Sequence, residues 1–292
     1  MTRPRPGTRR ATTTRHRARK RFGQHFLERQ WADKVLEAIA ATPDDVLIEV
    51  GPGRGALTHA LAPQVRRLVA VEIDRDLAAA LLESGPPSLV VLRADFLETT
   101  AADLRASLGP LGEATAVRLV GNLPYNVASP ILFKCVELIE SGLPLGEAVV
   151  MLQREVADRI LAPVGTREYG VLAVLLRHVA DVEHLLTLPP GAFRPAPKVH
   201  SSLIRLRFHQ PKPAPKDLAL FRRLVRSVFT RRRKTLANAL AVVLDPRSTS
   251  VPIDEARLAA GQRPETIDIP GFVRLADAIA SGATRRNPGP QR

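Results

Sequence analysis

The most informative stretch of this chain is residues 117–127, which read Val-Arg-Leu-Val-Gly-Asn-Leu-Pro-Tyr-Asn-Val. The apolar, β-branched residues from Val117 to Val120 predict a buried strand that ends at Gly121. Pro124 cannot continue a strand's hydrogen-bond ladder. We therefore expect Asn122 and Tyr125 to lie in a short, stiff loop at the carboxyl edge of a sheet, where open α/β folds bind their ligands.

The residue types in this loop suit the recognition of a planar base. The side chain of Asn122 offers a carbonyl and an amide, and Pro124 favours an extended conformation that presents the backbone carbonyl of Leu123. Two acceptors beside the ring of Tyr125 match a flat ring with an exocyclic amino group, such as adenine. An ordinary strand-to-helix turn is the alternative. The candidate catalytic residues are Asn122, Leu123, Pro124 and Tyr125.

A glycine-rich loop follows the first predicted strand, residues 46–50. Its glycines, Gly51, Gly53 and Gly55, let the backbone approach a ligand and turn sharply into a helix. The spacing is Gly-x-Gly-x-Gly, whereas a dinucleotide site requires Gly-x-Gly-x-x-Gly. Glu49, just upstream, would repel a phosphate but would favour a ligand that carries an ammonium or sulfonium charge.

Two further acids follow the next predicted strands, residues 67–71 and 89–92. Glu72 stands about 20 residues after the glycine loop, where doubly wound folds place an acid on a ribose diol. Asp95 can accept a hydrogen bond from an adenine amino group. Three acids and a glycine loop at successive strand ends predict an S-adenosylmethionine pocket rather than an NAD pocket. Helix caps and turn residues are the alternative interpretation.

Composition limits the class of protein. The chain has 292 residues and a single cysteine, Cys135, which excludes an internal disulfide and a cysteine-rich zinc site. No apolar run approaches the roughly 20 residues that cross a bilayer. We expect a cytoplasmic protein that acts as a monomer, without a metal and without a membrane.

Positive charge is concentrated at the two ends of the chain. Residues 1–27 contain nine Arg or Lys and no acid, residues 28–208 contain 18 basic and 22 acidic side chains, and residues 209–292 contain 16 basic and seven acidic ones. This distribution predicts a polyanionic partner bound outside the reaction pocket, although basic ends can also serve solubility alone. The densest run after the N-terminal tail comprises Arg231, Arg232, Arg233 and Lys234, which could equally be a solvated helix end.

A proline-rich loop at residues 191–202 carries one aromatic and two basic side chains. Pro195 and Pro197 are expected to hold it extended. We expect Phe193 to stack on an extruded base, with Arg194 and Lys198 contacting its phosphates.

These patterns predict an α/β chain with two folded units. Residues 21–209 are expected to form an α/β domain with ligand-binding loops at its strand ends, and residues 210–282 a small all-helical domain. Residues 1–20 are expected to be a disordered basic tail, for which nucleic-acid binding is preferred over an organellar presequence. Residues 283–292 are expected to fray.

The chain resembles the KsgA-type small-subunit rRNA adenine dimethyltransferases. The resemblance covers roughly residues 21–280 and depends on seven blocks in the family's order, because each block alone is weakly specific. They are Phe22-Gly-Gln-His-Phe-Leu27, Glu49-Val-Gly-Pro-Gly-Arg-Gly55, Val71-Glu-Ile-Asp74, Ala94-Asp-Phe96, Asn122-Leu-Pro-Tyr-Asn126, Phe193-Arg-Pro-Ala-Pro-Lys-Val199 and Val228-Phe-Thr-Arg-Arg-Arg-Lys-Thr-Leu236. One departure is His25, where the family often has Asn.

The resemblance implies a fold, a cofactor, a substrate and a set of site residues. The implied fold for residues 21–209 is a Rossmann-like methyltransferase domain with a mostly parallel seven-stranded sheet. The resemblance implies cofactor contacts at His25, Leu27, Gly51, Glu72, Asp95 and Asn122, to which the glycine-loop pattern adds Gly53. It implies transfer of two methyl groups to each of two adjacent adenosines in the 3′-terminal hairpin loop of 16S rRNA, in an immature 30S-type particle, with the helical domain binding rRNA. Two alternatives remain at this point: a large-subunit rRNA adenine methyltransferase of the macrolide-resistance type, and a ribosome-assembly factor that binds RNA without catalysis.

Overall fold

The computed structural model describes residues 25–112, 116–241, 244 and 249–286. The basic tail expected at residues 1–20 lies outside the described residues, as do residues 287–292 of the segment expected to fray. Residues 283–286 of that segment are the last residues of the final helix.

Nine strands, eleven α-helices and three short 3₁₀ helices account for the regular structure of the described residues. The strands are β1 (Phe26–Leu27), β2 (Val46–Val50), β3 (Arg67–Val71), β4 (Leu89–Leu92), β5 (Val117–Asn122), β6 (Leu145–Gln153), β7 (Ala180–Leu188), β8 (Phe193–Arg194) and β9 (Ser201–Phe208). The helices are α1 (Arg29–Ile39), α2 (Thr58–Leu61), α3 (Arg75–Ser84), α4 (Ala101–Leu108), α5 (Ala128–Glu140), α6 (Arg154–Leu161), α7 (Val171–Arg177), α8 (Leu218–Thr230), α9 (Leu236–Leu240), α10 (Ser250–Glu255) and α11 (Ile269–Arg286).

Seven strands form the central sheet in the order β4-β3-β2-β5-β6-β9-β7. The first five run parallel, and β9 runs antiparallel to both of its neighbours. The mostly parallel, seven-stranded sheet predicted from the sequence is therefore confirmed. The interior strand β2 is buried along its whole length, as a parallel strand covered on both faces by helices requires.

The chain reverses its direction of travel across the sheet between β2 and β5. From β2 it proceeds outward to β3 and β4, and it then returns to lay β5 on the other side of β2. Loops that leave these two strands diverge at their carboxyl ends and open a crevice. The glycine loop and the Asn-Leu-Pro-Tyr loop both begin at this point.

Strand β5 extends one residue beyond its predicted end at Gly121, because Gly121 and Asn122 still pair with Val150 and Met151 of β6. The glycine is required by close packing rather than by a turn. A Cβ on Gly121 would lie 2.6 Å from the backbone oxygen of Val50 in β2. The absence of a side chain at 121 therefore allows β2 and β5 to approach each other next to Asn122.

After residue 217 the described residues form the helices α8 to α11, in agreement with the all-helical unit predicted for this part of the chain. Their apolar core also takes in residues from the segment before the predicted boundary, among them Tyr169 and Val174. The hydroxyl of Tyr169 donates to the carbonyl of Ile267 at 3.0 Å. The helical unit is thus packed around α7 as well as around its own helices. Within the described residues, no helix combines the length and the apolar character that spanning a membrane would need.

Candidate active site

A cavity of about 420 Å³ opens at the carboxyl ends of β2, β3 and β5. Six of the seven sequence blocks that carry the family resemblance contribute residues to its wall, which runs from His25 to Arg194, and the block at 228–236 does not. Its wall includes all of the predicted cofactor residues, His25, Leu27, Gly51, Gly53, Glu72, Asp95 and Asn122, and also Leu123, Pro124, Tyr125 and Arg194.

The glycine loop presents its backbone to this cavity. Gly51 and Gly53 have positive φ angles of 67° and 60°, a conformation that side-chain-bearing residues rarely adopt. A Cβ on Gly53 would lie 3.2 Å from the ring of Phe26, so the loop and β1 leave little room for a side chain. The amide of Gly53 donates to Oε2 of Glu72 at 3.0 Å, which ties the loop to the end of β3.

Three carboxyl groups face the same cavity in different environments. Burial raises the pKa of Glu49 to about 7, although Thr58 donates to its Oε2 at 2.7 Å. Burial likewise raises the pKa of Glu72, whose Oε1 accepts the amide of Asp74 at 2.8 Å. Asp95 accepts the amide of Leu97 through Oδ1 at 2.9 Å. Two of the three acids are therefore held in poorly hydrated positions, where a cationic ligand would favour their charged forms.

This lining fits S-adenosylmethionine, which combines a sulfonium, an ammonium, a ribose and an adenine. Buried carboxyl groups match the positive charges and the ribose hydroxyls, and the glycine backbone admits a close approach. Ile73, which is 48% exposed, and Leu97 supply apolar wall to the cavity. Among the described residues, no three His, Cys, Asp or Glu side chains form a group that could hold a metal.

The amide of Asn122 is oriented by the backbone of His25. Its Nδ2 donates to the carbonyl oxygen of His25 at 2.8 Å. Because a carbonyl can only accept, this bond fixes which end of the amide is the oxygen and leaves Oδ1 for another donor. Leu123 in turn donates its amide to Met151 of β6 at 2.9 Å, a bond that a proline at this position could not make.

Tyr125 is held by contacts from two distant segments. Its hydroxyl shares a hydrogen bond of 2.6 Å with Oγ of Ser201, and the His25 imidazole lies against its ring with centroids 5.2 Å apart and planes at 24°. Nδ1 of His25 donates to the carbonyl of Pro195 at 2.7 Å. No sequence motif predicted a role for Ser201; its only signal was a hydroxyl side chain at the end of the proline-rich loop.

The prediction that Phe193 stacks on an extruded base is wrong. The residue is fully buried and belongs to the apolar cluster beneath β1, and it does not line the cavity. In the two-stranded sheet of β1 and β8, Phe193 pairs with Leu27 and Arg194 with Phe26. Successive strand residues face opposite sides, so Phe193 turns inward where Arg194 turns outward. Its ring therefore packs in the same apolar cluster as Leu27 of β1 and is not accessible for stacking on a base.

The basic residues predicted to contact RNA lie at separate places on the structure. Arg194 is exposed at the rim of the cavity and forms an ion pair with Glu28 at 3.3 Å. Lys198 is exposed in the proline-rich loop. Arg231, Arg233 and Lys234 are exposed at the turn between α8 and α9. Arg232 differs from them, because it donates to the carbonyl of Thr166 at 3.1 Å and lies 3.9 Å from Glu265.

Comparisons with known proteins agree with this geometry. A family model described as ribosomal RNA adenine dimethylase matches residues 15–281. A protein of Pseudomonas fluorescens named ribosomal RNA small subunit methyltransferase A is 40% identical over 269 residues, which cover 91% of this chain and 95% of the relative. A protein of the same name from Acidithiobacillus ferrooxidans is 42% identical over 272 residues, covering 92% and 97% of the two chains.

Two solved structures share the fold over most of the chain. A dimethyladenosine transferase from Plasmodium falciparum matches with a TM-score of 0.70 at 24% identity, covering 86% of this chain and 96% of that one. The 23S rRNA methyltransferase ErmE matches with a TM-score of 0.61 at 27% identity, covering 87% and 99%. With a family model spanning nearly all of the described residues and relatives at about 40% identity over their whole length, the chain belongs to the ribosomal RNA adenine dimethylase family.

Proposed function

We propose that this protein uses S-adenosylmethionine to dimethylate N6 of two adjacent adenosines in the 3′-terminal hairpin loop of small-subunit rRNA, as a cytoplasmic monomer acting on an immature 30S-type particle. The observation that carries the proposal is the shared cavity of Asn122, Glu72 and Asp95. It brings an amide oxygen for the target amino group next to acids suited to the methyl donor. The names of the bacterial relatives support the small-subunit target.

The cofactor site is assigned to the glycine loop and the three acids around it. S-adenosylmethionine supplies a sulfonium-activated methyl group, so the protein needs neither a metal nor a covalent nucleophile. Glu72 is assigned to the ribose and Asp95 to the adenine amino group, while Glu49 offsets positive charge. The protein's contribution to the rate is then positioning and electrostatics.

Asn122 and Leu123 are assigned to the amino group of the target adenine. The lone pair of N6 is delocalised into the ring, which makes the free base a poor nucleophile. If Oδ1 of Asn122 and the carbonyl of Leu123 accept its two hydrogens, the nitrogen is favoured in a pyramidal form with its lone pair directed outward. After the first transfer only one hydrogen remains, so the second transfer uses one of these two acceptors.

Tyr125 is assigned to stacking on the extruded base. The His25 imidazole already covers one face of this ring. A base therefore takes the opposite face, unless the imidazole moves. Phe193 is buried away from the cavity and is not assigned a stacking role. Tyr125, in the Asn-Leu-Pro-Tyr loop, lines the cavity and is the aromatic side chain assigned to stacking.

The pKa of Glu49 predicts a pH dependence of cofactor binding. In the free protein, burial raises this pKa to about 7, so the carboxyl is largely neutral at pH 6 and charged at pH 8. A cationic cofactor favours the carboxylate, so the affinity should rise with pH across this range, at a limiting slope of about tenfold per pH unit below the pKa. Stability of the free protein should change in the opposite direction, because a raised acid pKa means that stability is lost as the pH rises from about 4.5 to about 7.

Titration calorimetry with S-adenosylmethionine at pH 6, 7 and 8, in buffers of different ionisation enthalpy, measures both affinity and proton release. Glu49→Gln should flatten the pH dependence, whereas Glu83→Gln, a change at an exposed acid on α3, should leave it unchanged. Binding that shows no proton release at pH 6 would contradict the assignment.

The basic turn after α8 predicts a salt-dependent grip on RNA. Changing Arg231, Arg233 and Lys234 together to Gln should weaken RNA binding and lower the slope of log K against log salt by about 2–3, since each phosphate contact contributes about 0.7–0.9. Arg232→Gln is the matched control. It should mainly lower thermal stability, because this side chain connects the turn to Thr166 and Glu265. Filter binding at several salt concentrations measures the slope. An unchanged slope in the triple variant would show that these side chains are solvated and do not contact RNA.

A large-subunit target is the second candidate, favoured by the similarity to ErmE. Purified protein with labelled S-adenosylmethionine should be offered small-subunit particles and large-subunit rRNA, both from cells lacking the gene. Mapping the modified adenosines by primer extension separates the targets. Label in two adjacent small-subunit adenosines is the expected result, and label only in large-subunit rRNA would overturn the proposal.

A further inference from the structure

We infer that Ser201 is a positioning residue that fixes the direction in which the Tyr125 ring axis points, an inference that rests on the proposed methyl transfer to a stacked adenine. Tyr125 lies in the loop between β5 and α5, whereas Ser201 is the first residue of β9, 76 positions later. Their hydroxyl groups are 2.6 Å apart. The pair therefore joins a loop residue to the central sheet.

Ser201 is well placed to serve as an anchor. It is fully buried, and it pairs on one side with Gln153 of β6 and on the other with Leu188 of β7. A strand residue held on both sides has little freedom to move, so its hydroxyl marks a fixed point. Partial burial of the Tyr125–Ser201 contact also strengthens this hydrogen bond relative to one in water.

The contact acts on the substrate only through Tyr125. Ser201 does not line the cavity, whereas Tyr125 does. The phenol oxygen lies on the extension of the Cβ–Cγ bond, so the hydroxyl bond to Ser201 fixes the far end of the side chain and thereby the direction of the ring axis. Rotation of the ring about that axis is weakly restricted by intrinsic torsional preferences, and the imidazole of His25 against the ring selects it. A base stacked on that ring inherits its tilt, and with it the direction of N6 toward Asn122.

The test is a double-mutant cycle in the full-length protein. Ser201→Ala and Tyr125→Phe each remove one partner of the bond while keeping the stacking ring, so each should lower kcat for methyl transfer to small-subunit particles by about tenfold through misplacement of the base. The double variant should be no slower than either single one, because the same bond is lost. Ser202→Ala is the matched control, since this buried neighbour faces the other side of β9, and it should retain wild-type kcat.

A second measurement does not depend on activity. The chain has two tyrosines, and Tyr169 belongs to the helical core, so a ¹³C-tyrosine spectrum contains one ring from the site and one internal reference. Ser201→Ala should shift the ring signals of Tyr125 and leave those of Tyr169 in place. Additive losses in the cycle, or unchanged Tyr125 signals, would overturn the positioning role. A wild-type protein that methylates no rRNA would instead overturn the proposed function, so the two failures are distinguishable.

Discussion

Asn122→Ala should lower the rate of methyl transfer to rRNA by about 10²–10³-fold, the range observed when one positioned polar group that acts on the reacting atoms is removed. The physical reason is the fixed orientation of the amide. Its Nδ2 is committed to the carbonyl of His25, so Oδ1 accepts from the adenine amino group without first having to turn. Alanine removes that acceptor and leaves the His25 carbonyl without its donor.

Affinity for S-adenosylmethionine should change much less, within about tenfold, because the glycine loop and the acids around it remain. Single-turnover assays on small-subunit particles measure the rate, and calorimetry measures the affinity. Asn238→Ala, at an exposed asparagine of α9, is the control and should behave like wild type. A variant at 122 with wild-type turnover would exclude the proposed mechanism, and would favour an RNA-binding assembly factor.

Gly121→Ala should both destabilise the protein and reduce its activity. The added Cβ would lie 2.6 Å from the backbone oxygen of Val50, and backbone atoms in the middle of a parallel sheet cannot move away as a flexible side chain can. Overpacking of this kind costs about 1–3 kcal/mol, and occasionally more. Any relief of the clash also separates β5 from β2 beside Asn122, and a displacement of about 1 Å at a reacting group can lower the rate by about 10².

Thermal denaturation and the single-turnover assay measure these two effects on one preparation. Gly191→Ala is the matched control, since an added Cβ there meets no atom within 4 Å. We expect that control to differ little from wild type in either measurement. Equal melting temperatures for the 121 variant and wild type would show that the two strands can separate without cost.

Local patterns in the sequence were sufficient to predict the main parallel strands of the sheet and the residues at their carboxyl ends. Runs of β-branched residues predicted the strands at 46–50, 67–71 and 89–92, and all three have these bounds in the structure. The acids that follow the last two lie at one sheet edge because parallel strands end on the same side. For the same reason, Glu72, Asp95 and Asn122 line one cavity although they belong to three different strand ends.

The predictions from the sequence were wrong where contacts with neighbouring strands and loops decide the local structure. Pro124 suggested that the strand ends at Gly121, but pairing with β6 extends it to Asn122. The prolines around Phe193 suggested an exposed aromatic, but pairing of β8 with β1 turns that ring into the core. The run at 231–234 has uniform charge in the sequence, yet packing against Thr166 and Glu265 separates Arg232 from its neighbours.

Periodicity and motif spacing are local properties of the chain. They were therefore enough to predict the fold class, which strands end at the ligand site, and which acidic and amide side chains follow those strands. The tertiary structure alone decided how these groups are oriented. The amide of Asn122 is set by a carbonyl 97 positions earlier and the ring of Tyr125 by a hydroxyl 76 positions later. Such contacts depend on how the chain packs in three dimensions, and no local pattern encodes them.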